Sequence, residues 1–477
     1  MPDESRSWQI PVAIFGSVVL AAWAVLFVSR AVSNSFNIFL YLLANIVLMI
    51  DTADFAMRWY LQRTENRAMK EGWQKKPAPA SGLSAPGQAR SHLRPYAILA
   101  SVYNADGEID GFLEGMEPYR DKVWIIDDAS TDHTVVRLEQ AGWRCLQGLV
   151  NRKKPAAIQM LLAHLPENIE TVLVLDPDTS IQNLRAGAFS DLETAILEFQ
   201  ASGTAALCPR VKVRDEGLLT QLQALEYCLS FSIGRRSLGD CCLTSGISLY
   251  RRSALESALQ RHSLSVYAED CENALLLLSQ GELIHYDDTL VLETEGKTTL
   301  GGWCSQRIGW AYGLIRVYVL LFDAVARIAR RRVSAAYHYL VYFGLFSLVF
   351  QPLKVASLIL LALSFLNGVS ELFRLEWMPT WAAIDPVYFV AAYAKYTVLA
   401  CIALFVAVPR KEQKNLVPAT FLYFMYALMA IVPTTIGYAN WFTLRATGRR
   451  IVNDHYQDEE SLMRQQFGLA APFTERA

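Results

Sequence analysis

The stretch Val172-Leu173-Val174-Leu175-Asp176-Pro177-Asp178-Thr179-Ser180 decides how the rest of the chain is read. Four successive aliphatic residues fit a central parallel strand covered on both faces. Asp176 and Asp178 then stand just past its carboxyl end, where open α/β sheets place their ligands. In extended backbone, residues i and i+2 project to the same side. Two carboxylates on one side suit a hard divalent cation, which can in turn hold a diphosphate. An Asp-x-Asp is also an ordinary way to cap a loop, so its neighbours have to decide between the two.

Those neighbours alternate strand and helix patterns. Upstream, Tyr96 to Tyr103 reads as a strand entering Asn104-Ala105-Asp106-Gly107, and Lys122 to Ile126 as one entering Asp127-Asp128-Ala129-Ser130-Thr131-Asp132. Arg144 to Val150 reads as a third strand, followed by Asn151-Arg152-Lys153-Lys154-Pro155 and a helix from Ala156 to Leu165. Downstream, Thr204 to Val213 and Leu243 to Tyr250 read as strands around a long helix, Leu218 to Ile233. Residues 95–300 are therefore expected to form one α/β domain, a normal size for this architecture.

The flanks are of a different kind. The 477 residues are 53% hydrophobic and 19% charged, with formal net charge −2. The near-neutral balance gives no argument for nucleic acid. The apolar residues are concentrated outside the α/β region. Ile10 to Val28 and Phe36 to Met57 are each long enough to cross a bilayer, and Arg58, Arg63, Arg67, Lys70, Lys75 and Lys76 follow. By the positive-inside rule, residues 1–66 are expected to form a transmembrane hairpin with a cytoplasmic N-terminus. A Pro-, Ala-, Ser- and Gly-rich linker spans 67–94. Residues 301–334 read as amphipathic interface helices, 335–445 as a C-terminal transmembrane region, and 446–477 as a cytoplasmic tail.

The apolar blocks of that last region are Ala336 to Leu366, Val387 to Val408 and Leu416 to Leu444. Basic residues flank the final block on both sides, which one simple span would not allow. Either Pro433 breaks it, or the Ala336 block is two elements meeting at Gln351-Pro352; the total is five or six spans. The expected site is thus a cytoplasmic domain on the plasma (inner) membrane. The eight cysteines follow no metal-ligand spacing, and no disulfide framework is expected.

Four polar loops follow strands or open helices in the α/β region. Asp127 and Asp128 fit either a turn with an Asx cap or a ligand loop. Lys154, before a helix opened by Pro155, fits a solvated loop or a phosphate site made of a cation and a helix N-terminus. Glu269 and Asp270 fit dipole-complementing acids at a helix start or a general base for a hydroxyl acceptor.

In order, these motifs (DDxSxD, NxxK, DxD, an ED pair at a helix start, then Gln306-Arg307-Ile308-Gly309-Trp310) resemble those of family-2 glycosyltransferases. The layout is similar to the membrane-integrated cellulose, chitin, hyaluronan and curdlan synthase group. The resemblance covers roughly residues 95–313 by motif. It implies a GT-A catalytic domain, an α/β fold with a Rossmann-like mixed sheet, inserted between N-terminal and C-terminal transmembrane α-helices. It implies that Asp127, Asp128, Lys154, Asp176, Gln306 and Arg307 bind the nucleotide-sugar donor, and that Asp176 and Asp178 bind Mg2+ or Mn2+. Asp270 is implied as the catalytic base, and Thr244, Ser245, Gly246, Glu269 and Trp310 as neighbours of the growing glycan acceptor.

Three positions depart from the family pattern. Ala268 replaces the usual threonine before Glu269, and Ala105 displaces an acid to Asp106. Gly309 stands where the interface motif has arginine, and Arg307 is about 200° away around a helix. Either the helix is distorted there, or another cation such as Arg251 or Lys154 takes the part. Asp51, Lys354, Lys395 and Gln351 fall in or near apolar blocks, as candidates to line a glycan path or as end-of-span residues. The expected function is a processive inverting synthase that exports a polysaccharide. The alternatives are a transferase loading one sugar onto a polyprenyl phosphate or other lipid, and a non-catalytic scaffold.

Overall fold

The computed structural model describes residues 93–182, 191–375, 377 and 384–452, together with 53–54, 56–61 and 63. The expectations for the first span, nearly all of the second, Asp51, most of the linker and most of the tail fall outside these residues.

The α/β domain opens with β1 (Tyr96–Val102), α1 (Ile109–Met116), β2 (Val123–Asp127), α2 (Thr134–Gln140), β3 (Cys145–Gln147), α3 (Lys154–His164) and β4 (Thr171–Leu175). It continues with β5 (Thr179–Gln182), α4 (Asp191–Ser202), β6 (Ala206–Val213), α5 (Leu218–Tyr227) and a π-helical segment, Cys228–Arg235. β7 (Ser248–Arg251), α6 (Arg252–Leu259), α7 (Glu269–Ser279) and β8 (Ile284–Thr294) complete it. The sheet is mixed, with strand order β3-β2-β1-β4-β7-β6-β8-β5.

β4 is central, as its apolar run predicts, and Val172, Leu173 and Leu175 have no exposed surface. It is parallel to β1 and antiparallel to β7, so the sheet is mixed, as expected. Two expectations change. The third strand is only three residues long, because Gly148 turns off to hydrogen-bond Asp127. Residues 243–247 form a loop rather than the start of a strand. β5 and β8 carried too little apolar alternation to be foreseen, and pair with each other antiparallel.

Beyond the sheet come α8 (Leu300–Leu320) and α9 (Phe322–Ala329), bent by 79° at Leu321. A short helix, Val333–Ala336, leads into a π-helical stretch, Tyr337–Val349, and then α10 (Gln351–Leu372), α11 (Val387–Ala407) and α12 (Arg410–Thr447). The Ala336 block is thus two elements, with Pro352 in the first turn of the second, where it needs no donor. Pro433 does not break α12. The Thr434 and Thr435 hydroxyls donate to the carbonyls of Ala430 and Ile431 around it.

Among the described residues, three helices are long and apolar enough to cross a membrane: α10, most of α11, and α12. Both ends of α12 are tied by polar contacts. Near its start Glu412 accepts from Arg210 of β6 at 2.6 Å. Just past its end Arg450 donates to the Tyr267 hydroxyl at 2.7 Å. Both ends of the helix meet the α/β domain.

Candidate active site

The loops after β1, β2 and β3 are sewn into one wall by their own polar side chains. Asn104 accepts the Thr131 N–H at 2.8 Å, and its own N–H donates to the Ser130 hydroxyl at 2.9 Å. Asp127 accepts the Ser130 N–H at 3.1 Å. Asp128 accepts the N–H groups of Arg152 at 2.8 Å and Lys153 at 2.7 Å, one on each oxygen. Burial pushes the Asp128 carboxyl up, against the pull of these two donors. Each of its oxygens thus helps hold the Lys153 turn. The displaced acid Asp106 turns to Arg137 instead. A side chain at Gly148 would press within 2.9 Å of the Asp127 carbonyl, which is why the wall closes there only with glycine.

Lys154 then reaches from the first turn of α3 across the carboxyl end of β4. Its ammonium pairs with Asp176, donates to the Gly246 carbonyl at 2.9 Å and lies 3.6 Å from Glu269. Burial works against the ammonium, but Asp176 and Glu269 outweigh it and hold its pKa above the ordinary lysine value. Gly246 is the floor of this cluster: a Cβ there would lie 3.0 Å from an Asp176 oxygen and 3.3 Å from the Lys154 nitrogen.

Asp178 lies two residues on, in the turn between β4 and β5. Burial, with Asp176 and Glu108 nearby, pushes its carboxyl up to about 7. Burial also raises Glu269 to about 7, with Lys154 opposing and Asp270 and Asp176 adding. Such crowding of acids is relieved by positive charge. Asp176 and Asp178 are hard oxygen donors, the kind Mg2+ and Mn2+ prefer. Among the described residues no third carboxylate, His or Cys completes a metal cluster with them. They fit a cation that shares its remaining positions with substrate phosphates, as Mg2+ commonly does.

Glu269 and Asp270 open α7 behind Ala268, whose backbone is left-handed at φ 55°. Gly313 of α8 lets the two backbones meet at this bend, since a Cβ there would fall 2.9 Å from the Ala268 nitrogen. The Asp270 carboxylate accepts the Cys271 N–H at 2.8 Å and faces the Arg235 guanidinium at 4.0 Å. The Thr244 hydroxyl donates to the Asp270 carbonyl at 2.8 Å, and the Ser245 hydroxyl to the Ile247 carbonyl at 2.5 Å. Both side chains are buried and spent on the loop; Gly246 alone of the three borders the carboxylates.

Arg235 is the residue the sequence did not single out. It sits at the end of the π-helical segment, donates to the carbonyls of Leu243, at 3.0 Å, and Thr244, and lies over the Phe231 ring at 4.2 Å. Nothing local marks it. It gains meaning only when the 243–246 loop and α7 close around it.

The interface motif makes its contacts with α5 and α12. Arg307 pairs with Glu226, donates to the Tyr426 hydroxyl at 3.3 Å and stacks on Trp310 at 4.1 Å. Its Nε and Nη1 are buried without a hydrogen-bond partner among the described residues. Gln306 is half-buried, and Trp310 is 37% exposed beside Tyr227, ring centroids 6.3 Å apart. α8 runs unbroken through Gly309, so no distortion brings an arginine round. Arg251 is held by Glu282 at 2.7 Å, which leaves Lys154 as the cation against Asp176.

Glu226, Leu229, Ser230 and Ile233 also form the roof of a cavity of about 340 Å³, walled by α10, α11 and α12. Gln351, Lys354 and the rings of Tyr342, Tyr396, Tyr423 and Tyr426 line it. The same π-helical segment thus faces the cavity on one side and carries Arg235 to Asp270 at its end.

No family model matches the chain. It is 25% identical over 229 residues to an N-acetylglucosaminyltransferase of Neorhizobium galegae, covering 45% of this chain and 48% of that protein. A second N-acetylglucosaminyltransferase, from Rhizobium leguminosarum bv. viciae, is 22% identical over 283 residues, covering 55% and 61%. The chain spans about half to three fifths of the length of these curated relatives. Among solved structures, a mannosyltransferase from Pyrobaculum calidifontis in complex with GDP-Man and Mn2+ superposes with TM-score 0.43 at 16% identity, covering 82% of this chain and 99% of that one. Glucosyl-3-phosphoglycerate synthase from Mycobacterium tuberculosis gives TM-score 0.34 at 16% identity, covering 49% and 82%.

Proposed function

We propose that the chain is a membrane-bound, metal-dependent, inverting glycosyltransferase of the GT-A, family-2 kind. In this reading it transfers sugar from a nucleotide-sugar donor, a UDP-sugar by preference, to a growing glycan, and passes the product between its apolar helices. The observation that carries the reading is the gathering of Lys154, Asp176 and Glu269 around Gly246 at the carboxyl end of β4, with Asp270 next along α7 and facing Arg235. The sequence similarity to proteins named N-acetylglucosaminyltransferase agrees with it.

The chemistry follows from what each group can do. Asp270 takes the proton of an acceptor hydroxyl, and that oxygen attacks the anomeric carbon from the face opposite the leaving group. The bond from that carbon to the diphosphate breaks, and inversion results. Lys154, already charged and buried, sits where negative charge grows on the leaving oxygen. A divalent cation held by Asp176 and Asp178 would neutralise the diphosphate further. Asp127 borders the nucleotide, while Asp128 holds the wall it rests on. Trp310 gives an exposed aromatic face beside the acceptor path.

A second reading, transfer of one sugar to a polyprenyl phosphate or another membrane lipid, is favoured by Arg307. It pairs with Glu226 rather than with the carboxylates. Product size separates the two. The full chain in nanodiscs, with Mn2+ and Mg2+ and radiolabelled nucleotide sugars, should release long water-soluble polymer from one donor. A single labelled sugar in the lipid extract would replace the first reading with the second. Turnover unchanged in Asp270→Asn would leave a scaffold.

A further inference from the structure

Among the described residues, Arg235 is the one cation within 4.0 Å of the Asp270 carboxylate. The two Asp270 oxygens are held differently. One accepts the Cys271 N–H at 2.8 Å, and the other faces Nη2 of Arg235. The second nitrogen of the fork, Nη1, donates to the Leu243 and Thr244 carbonyls and to the Cys208 sulfur, at 3.3 Å. One planar group thus ties together the 243–246 loop, the carboxylate that opens α7 and a thiol of β6. A lysine ammonium is a point charge and lacks the rigid fork that holds two directions at once.

Cys208 has no exposed surface. Its sulfur also meets the Ser245 hydroxyl at 3.8 Å and the Pro209 carbonyl at 3.6 Å. The titratable neighbours are Cys242 and Tyr286 of β8. Burial pushes the Cys208 thiol up, but Cys242, Arg235 and Ser245 outweigh it and hold it down, to about 7. Cys242 goes the other way, raised by burial and by the sulfur beside it. Lys154, Glu269, Cys271, Tyr250 and His262 lie within electrostatic reach of Asp270, and His338 within reach of Arg235. Of all these groups, Cys208 alone hydrogen-bonds Arg235.

We propose that Arg235 is the positioning residue of the base, its guanidinium shared between the Asp270 carboxylate and the Cys208 sulfur, so that the proton on Cys208 sets how much of its charge Asp270 feels. The proposal rests on the glycosyltransferase reading, in which Asp270 takes the acceptor proton. With a thiol at Cys208, the positive charge is directed at Asp270 and opposes proton uptake there. With a thiolate the charge is divided, while the loop carbonyls keep Arg235 in place, and Asp270 takes the proton more readily. The coupling is reciprocal. A neutral side chain at position 270 leaves the guanidinium wholly to Cys208 and favours its thiolate.

The first test needs no turnover. Thiolate ultraviolet absorbance of the full chain in nanodiscs is followed across pH, with Cys208→Ser subtracted so that this cysteine alone is read and histidines are silent. The thiolate should appear well below the ordinary cysteine value of about 8.5. Its proton affinity should rise in Arg235→Gln and fall in Asp270→Asn, each by about tenfold, the scale of one charge-assisted contact. A midpoint at the ordinary value, or one that either substitution leaves in place, would overturn the proposal. The second test is the pH profile of kcat, which should step up about threefold as Cys208 loses its proton. The step should vanish in Cys208→Ser and Cys208→Ala with the donor KM unchanged, and thermal melting checks that both variants fold. Arg235→Gln should lower kcat about tenfold and Arg235→Lys recover only part of it. A step that survives loss of the thiol sinks the sharing. Unchanged turnover in Asp270→Asn removes the glycosyltransferase reading, whereas the absorbance decides the link through Arg235 by itself.

Discussion

Arg316 of α8 reaches the buried Glu272 of α7 at 3.2 Å and the hydroxyl of the exposed Ser263 at 2.5 Å. Glu272 also accepts the Ser263 N–H at 2.7 Å. α8 and α7 are therefore joined by one ion pair behind Glu269 and Asp270.

Glu272→Ala should destabilise the chain by about 3–5 kcal/mol, the cost of stripping a buried guanidinium of its carboxylate. Thermal unfolding of the nanodisc-embedded protein measures this. A melting temperature equal to that of the unsubstituted chain would show that Arg316 is well solvated without Glu272.

His262 adds a pH dependence to the same cluster. Its Nδ1 accepts the Leu264 N–H at 2.8 Å and its Nε2 faces the Glu269 carbonyl at 3.2 Å, a pattern that needs the neutral ring. Burial holds its pKa below the ordinary histidine value although Glu272 is 3.7 Å away; Arg316 adds to the lowering. The unfolded chain takes up this proton near pH ~6.5 and the folded chain resists it, so stability should fall as pH drops below that value. Melting curves from pH 7.5 to 5.5 should show a steeper loss for the unsubstituted chain than for His262→Gln.

Asp270→Asn should lower turnover by about 10²–10⁴-fold, the usual contribution of a general base, with nucleotide affinity unchanged. Thr244→Val removes the hydrogen bond to the Asp270 carbonyl, along with the contact to the Tyr250 hydroxyl. A loss of about 1 kcal/mol, near fivefold in rate, is expected there. Single-turnover rates with equilibrium nucleotide binding would distinguish the base from the residue that positions it.

Chelation should abolish turnover, and Mn2+ or Mg2+ should restore it. Asp178→Asn should raise the metal concentration needed for half-maximal activity, because half of the hard-oxygen pair is lost. Activity indifferent to chelator would mean that Lys154 alone neutralises the leaving group.

The Glu226–Arg307 pair should be energetically coupled. In a double-mutant cycle with Glu226→Gln and Arg307→Met, an interaction energy above about 0.5 kcal/mol is expected for groups in contact. Additive effects on product length or stability would show the pair to be incidental.

Much of this was legible in the residues taken in order. The apolar run ending at Leu175, the strand before Asp127 and the acidic opening of α7 are local patterns, and local periodicity and capping chemistry are written in neighbouring residues. Hence the α/β alternation, the central place of β4, and Asp176, Asp178, Lys154 and Asp270 as site candidates came from sequence. Tertiary structure alone decided which strands run antiparallel, that Asp128 holds the Lys153 turn, and that Arg307 belongs to Glu226 and Tyr426. It alone brought Arg235 to Asp270 and set Lys354 on a cavity whose acids, Asp54 and Glu226, are paired with Arg58 and Arg307. These are contacts between residues distant along the chain, such as Arg307 and Tyr426, and no periodicity of either segment encodes its partner.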